Sequence, residues 1–203
     1  MNEFASANLT AGQLNAIVKK LGGEEGAMSF LRDETVVKTV TPVDFKVFKT
    51  IKFGNPDLRN ADDFRKAIKA KKMQISDWAN DILGKPAFSV ATEESEVDLV
   101  VISVAELGFK KGATLKDIYA KVKERGLELC PNEVGPQLRL QYPDQPKGEW
   151  LIIGMDPIAG SDGCLKLFYV EQGGGVLWLF GSDGYPDFIW RGLNRFVFVL
   201  PRK

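Results

Sequence analysis

Along the chain, apolar positions change period several times. Leu14, Ile17, Val18 and Leu21 recur at the spacing of one helical face. Thr10 precedes them as an N-cap and Gly22-Gly23 follows as a stop, so a helix is predicted over about residues 11–21. A second short helix, "EEGAMSFLR", opens with two acids where the helix dipole favours them. Helix, glycine turn, helix is also the order of a DNA-reading motif. Here the second helix offers only Arg32 as a base, while Glu24, Glu25 and Asp33 repel phosphate, so the pair reads as a helical hairpin closing a core.

From residue 43 the period becomes two. Val43, Phe45, Val47, Ile51 and Phe53 fall on one face, and Asp44, Lys46, Phe48, Thr50 and Lys52 on the other, which predicts a half-buried strand. "TVVKTV" ahead of it, joined through "TP", completes a predicted β hairpin. Asn60 then caps "ADDFRKAIKAKK", and Ser76 caps "DWANDIL", in which Trp78 and Ile82 should bury together. The lysines at 66, 69, 71 and 72 read as a solvated face.

"AFSVATEESEVD" mixes small residues with acids and is the predicted boundary between a mainly helical part with a β hairpin, 1–90, and a helix plus antiparallel sheet, 91–203. The two parts are expected to pack as one compact body. "LVVISVAELGF" leaves strand and helix open, since β-branched residues favour one and "SVAELGF" the other. "GATLKDIYAKVKERG" is a helix capped by Thr114, with Asp117 at N3 and Gly126 at its end.

Four apolar runs follow: "EWLIIGMDPI", "CLKLFYVEQ", "GVLWLFG" and "RFVFVLPR". They predict an antiparallel four-stranded meander packed against helices, and the fold class is α+β. "LWLF" and "FVFVL" are apolar on both faces, so cover is expected on both: the 114–125 helix on one, N-terminal elements on the other. GSDG occurs at 160–163 and at 181–184 and reads as a turn in both places.

Composition narrows the chemistry. Lys+Arg and Asp+Glu both number 27, which weighs against nucleic acid or an anionic membrane as the main partner. No run approaches the length of a membrane span and no leader is recognisable, and two cysteines fit a reducing compartment, so a cytoplasmic protein without disulfides is expected. The chain has no histidine. A Ser-His-Asp or Cys-His machine is excluded within it, and no metal or cofactor is expected. Any general acid or base must be a carboxylate, Lys, Tyr or Cys.

Three constellations could carry chemistry. Cys130 precedes Pro131; as the N-cap of a helix "PNEVGPQLRL" it would be a thiolate candidate, although Pro136 weakens that helix and a buried small residue is the competing reading. Glu133 and Glu149 could pair as acid and base. "QLRLQY" alternates, and as a strand it would project Gln137, Arg139 and Gln141 from one face, a donor-rich strip suited to a carboxylate, phosphate or sugar. Finally Tyr185 and Trp190, with Trp178 and Phe188 nearby, could stack on a ring-shaped ligand or plug the end of a β core. "QGGGV" lacks the helix and lysine of a phosphate loop.

The stretches "ISDWANDILGKPAF", "VDLVVISVAELGF", "LELCPNEVGPQLRLQYPDQPKGEWLIIGMDPI" and "RFVFVLPRK" resemble a group of uncharacterised bacterial proteins. The resemblance implies a bacterial, intracellular protein folded as a single unit, and it transfers no site residue. The leading expectation is a non-enzymatic interaction or small-ligand-binding protein, its protein or small-molecule partner unknown. The alternatives are a carboxylate- or cysteine-dependent hydrolase or transferase centred on 130–149, and a winged-helix-like nucleic-acid binder using "SVAELGF", "TLKDIYAKVKERG" and "PNEVGPQLRL".

Overall fold

A computed structural model describes residues 10–32 and 45–202. The chain forms two compact units, residues 1–41 and 42–203. In the first, α1 (Ala11–Lys20) is closed at its start by a capping box in which Thr10 and Gln13 each satisfy the other's backbone N–H. It is followed by α2 (Gly23–Leu31) across Gly22, which is left-handed at φ 93°. The two helices form where the periodicity places them, but neither holds a buried residue, so within the described residues they close no core.

The second unit is α+β. In chain order it runs β1 (Lys49–Phe53), α3 (Ala61–Ala70), β2 (Gln74–Ile75), α4 (Asp77–Leu83), β3 (Ser95–Ser103), β4 (Ala113–Thr114), α5 (Leu115–Glu124) and α6 (Val134–Gln141). It continues through β5 (Trp150–Ile153), β6 (Ile158–Ala159), β7 (Leu165–Gly173), β8 (Val176–Asp183), β9 (Ile189–Trp190) and β10 (Arg195–Leu200). The main sheet has the order β1-β3-β10-β5-β7-β8-β2, with β6 added against β7 and a separate ribbon formed by β4 and β9. It is mixed: β10 lies parallel to β5 and β2 parallel to β8.

All four predicted C-terminal runs are strands, but they do not form a meander. β10 returns past β7 and β8 to sit between β3 and β5. Its composition requires this: Phe196, Val197, Phe198 and Val199 are all buried, and only a central strand covers both faces. Phe198 meets Tyr119 of α5 edge-on, with ring centroids 6.1 Å apart, so α5 lies on one face. The opposite face carries α3, α4 and α6, joined to the sheet by an edge-to-face chain from Phe64 through Phe88 to Phe168. Gly135 lets α6 approach β7 closely, because a Cβ there would stand 2.7 Å from the Phe168 ring.

Other expectations change with the packing. The predicted strand from 43 exists only as β1, since 45–48 are not strand and 43–44, like "TVVKTV", lie outside the described residues. The parity is as predicted, with Ile51 and Phe53 buried. The partner is the distant β3, in the register Lys49↔Leu99 to Phe53↔Ser95. In 97–107 the strand reading holds to Ser103, and turns follow. Trp78 does not bury beside Ile82: it is 50% exposed and its ring lies 3.7 Å beneath the Lys166 ammonium. The run "LWLF" is covered on one face only, leaving Trp178 and Phe180 half-buried in a stack with Tyr169. The second GSDG is the end of β8, where Gly181 makes room for Trp78, and not a turn. The tight β7–β8 hairpin uses Gly174 and Gly175 instead, both at positive φ as a type I′ turn demands. Among the described residues, no helix is long and apolar enough to cross a membrane.

Candidate functional site

The stretch from Cys130 to Glu149 is built around α6. Residues 137–141, which alternate as a strand would, are helical. Pro136 does not prevent this, because it falls in the first turn, where backbone N–H groups have no helical acceptor. Every residue from Val134 to Leu140 is buried, so α6 has no solvated face whose period a sequence could reveal. A DNA-reading helix must reach a groove, and α6 is enclosed.

Helical spacing puts Glu133, Gln137 and Gln141 in one row, each four residues from the next. Gln137 Nε2 donates to Glu133 Oε1 at 2.7 Å, and Gln141 Nε2 donates to Gln137 Oε1 at 2.9 Å. The ends of this row hold the backbone of other segments. Glu133 Oε2 accepts from the Ala91 N–H at 2.6 Å, while Asn132 binds both Ala87 O and the Ser89 N–H. At the far end Gln141 binds both backbone groups of Lys52. Burial pushes the Glu133 carboxyl above its ordinary range, with the Ala91 N–H opposing the shift.

Arg139 points away from this row and is fully buried between α6 and the β7–β8 pair. Its guanidinium donates to Gln145 Oε1 and to the carbonyls of Tyr142, Glu171 and Trp178. Burial lowers its pKa to about 10. Gln145 is held in turn by the carbonyls of Glu149 and Val170. The arginine thus clamps the turn after α6 onto the sheet.

The remaining sequence candidates are dispersed. Cys130 is not at a helix start: it bridges to Met155, its thiol donates to Val197 O at 3.3 Å, and burial drives its pKa upward, away from thiolate. Glu149 is shared by Arg195 at 2.8 Å and the Tyr142 hydroxyl at 2.9 Å. Nine helical positions separate Glu133 from Tyr142, roughly 13 Å along the axis, so the two carboxylates serve opposite ends of α6. Trp190 is an interior ring, edge-on to Phe196 at 5.1 Å. Tyr185 is exposed.

Two of the candidates do meet at a concave surface. Gln137 and Gln141 line a cleft of about 900 Å³ between α6, the end of β1, the 55–58 turn and α3. Phe53, Leu58, Ala67 and Leu140 supply its apolar lining. Lys52 and Lys71 stand on its walls with Asp57, Glu94 and Glu96, and Asn55 adds a third amide. Lys71 also donates to Leu140 O at 3.0 Å, closing the C-terminal end of α6. In the sequence Lys52 and Lys71 read as parts of solvated faces and Asn55 as part of a turn. Reading 133, 137 and 141 at helical spacing would have aligned the row from which the cleft is built.

A second polar cluster joins α4 to the 160–163 turn. Ser161 Oγ lies 2.5 Å from Lys85 Nζ and 2.6 Å from Asp81 Oδ1, and the Ser161 N–H donates to Asp81 Oδ2. A serine–lysine pair of this kind attacks only when the lysine can take a proton. Here Lys85 is ion-paired with Asp81 at 3.0 Å, and hydrogen bonds from Ser161 hold the Asp81 carboxyl down at about 2. The cluster is a tether between two segments. Among the described residues no group of three or more Cys, Asp or Glu is placed to hold a metal. Comparisons with protein-family models, with curated proteins and with solved structures find no match.

Proposed function

We propose that this is a binding protein without catalytic machinery, whose ligand is a small zwitterion, such as a free amino acid or short peptide, held in the cleft beside α6. The observation that carries the reading is the lining of that cleft. It combines ammonium groups from Lys52 and Lys71, carboxylates from Asp57, Glu94 and Glu96, and an apolar patch from Phe53, Leu58 and Leu140. A site with both charge signs around a small apolar surface suits a ligand built the same way. The hydrolase reading lacks such support, because Cys130, Glu133 and Glu149 are each engaged elsewhere and apart.

Titration of the 15N-labelled protein with pooled amino acids and dipeptides tests the proposal. Shifts confined to residues 52–58, 67–71, 94–96 and 137–141, abolished by Ala67→Trp, support it. Absence of shifts at millimolar ligand, or shifts elsewhere, rejects it.

A further inference from the structure

At the β5-β7-β8 end of the sheet, one carboxylate stands among four aromatic rings. The register places Trp150, Glu171 and Trp178 in one row across the three strands, and Ile152, Tyr169 and Phe180 in the next. Directly opposed residues point to the same side of a sheet. Ile152 is level with Phe196, whose neighbour Phe198 meets Tyr119, so this is the side that carries α5. The rings are continuous: Trp150 meets Tyr169 edge-on at 5.7 Å, Tyr169 stacks on Phe180 at 5.0 Å, and Phe180 stacks on Trp178 at 4.9 Å. They flank Glu171 on three sides. On the fourth lies Gly173, and the carboxylate leans over it, since a Cβ there would stand 2.9 Å from Glu171 Oε1. Trp150 is 39% exposed, and Glu171 and the other three rings are half-buried, so residues 42–203 do not close over the group.

Among the described residues the Glu171 carboxylate makes no hydrogen bond and no ion pair. Arg139 lies on the opposite face and donates to the backbone carbonyls of Glu171 and Trp178, not to this carboxylate. The carboxylate's charge is felt at Tyr169, whose pKa is raised to about 12, first by burial and then by Glu171. An unneutralised negative charge beside indole rings is complementary to a cation. The surroundings also discriminate between cations. Lysine and arginine heads carry several N–H donors, and donors taken out of water cost free energy unless each finds an acceptor. Here the acceptor is one carboxylate, and the remaining lining is aromatic. A quaternary ammonium has no N–H to satisfy, and its methyl groups bury against rings. We propose that Trp150, Tyr169, Glu171 and Trp178 form a second binding site, for a quaternary ammonium cation such as choline, with the trimethylammonium head seated on the rings and facing the carboxylate. None of these residues lines the cleft beside α6, and the proposal does not rest on the ligand of that cleft.

Titration of the full 15N-labelled chain with choline chloride tests this. The indole N–H signals of Trp150 and Trp178 should shift and saturate at millimolar choline or below, while those of Trp78 and Trp190 stay in place. The neutral isostere of choline, with carbon in place of the ammonium nitrogen, should give no saturable shift at the same concentration. Trp178→Leu should weaken binding about 2- to 30-fold, the range of one cation–π contact. Glu171→Gln should weaken it severalfold and yet unfold with the wild type in urea, because the carboxylate holds no other group in place. No saturable indole shift at tens of millimolar choline, equal binding of the isostere, or unchanged affinity in Glu171→Gln would overturn the proposal. Shifts confined to the cleft residues would overturn it as well.

Discussion

Gln141 and Lys52 are joined as neighbouring strands are joined. The side-chain amide of Gln141 donates to the Lys52 carbonyl at 2.8 Å and accepts from the Lys52 N–H at 3.1 Å. A carboxamide has the donor and acceptor of a peptide group, so one side chain closes part of the edge that β1 would otherwise present. Gln141→Leu keeps the volume and removes both bonds. It should cost about 0.5–1.5 kcal/mol in urea unfolding, the net worth of a hydrogen bond whose partners water can reach once it is lost. Hydrogen exchange at the Lys52 amide should accelerate with it; unchanged protection there would show that β1 does not rely on this contact.

Arg139 sits in a cage of carbonyls, and none of its hydrogen bonds among the described residues goes to a carboxylate. Arg139→Lys keeps the charge but cannot span Gln145 and Tyr142 with a planar fork. Each charge-assisted bond lost should cost roughly 1.5–3 kcal/mol. Unfolding midpoints of Arg139→Lys and Arg139→Met provide the check. The clamp is refuted if the lysine variant unfolds with the wild type.

The two thiols should behave differently. Cys164 is half-buried, whereas Cys130 is enclosed and held away from thiolate. A chromogenic disulfide reagent should therefore label Cys164 in the native protein and reach Cys130 only after denaturation. Rapid labelling of both sites under native conditions would contradict the burial of Cys130.

Stability should depend on pH through two carboxylates with opposite signs. Asp98 is held at about 2, first by its hydrogen bonds from Arg202 and then by that from Thr50. Its folded value lies below the ordinary 3.8, so the unfolded chain binds the proton more readily. The stabilisation is present above 3.8 and is lost as pH falls toward 2. Glu133 is shifted the other way by burial, so above 4.5 the folded state keeps a proton that the unfolded state releases. Its contribution falls as pH rises through that window. Asp98→Asn should lower the melting temperature at pH 7 and lose that effect near pH 2. Glu133→Gln should flatten the slope above pH 4.5. Melting curves across the range decide both.

Local signals in the sequence were read well because their causes are local. Thr10, Asn60, Ser76 and Thr114 each cap the helix they precede. Each needs only its own side chain and the next three residues. Pairing is not local. Nothing near 49–53 announces a partner at 95–99, and nothing in "RFVFVLPR" states which two strands it separates. The doubly apolar pattern of that run did indicate a covered strand. Alternation misled at 137–142, where Leu138 and Leu140 meet the core on a helix whose polar neighbours are buried as well. Gln137, Arg139 and Gln141 therefore fall in different surroundings, and only the two glutamines reach the cleft.

The position of β10 has a consequence for synthesis. Every other strand of the sheet leaves the ribosome before it, yet β10 is the strand that joins β1-β3 to β5-β7-β8-β2. Until residues 195–200 emerge, β3 and β5 each offer an unpaired edge of the kind that recruits foreign strands. The sheet therefore closes only once β10 has emerged, and until then those two edges stay open to pairing with other chains.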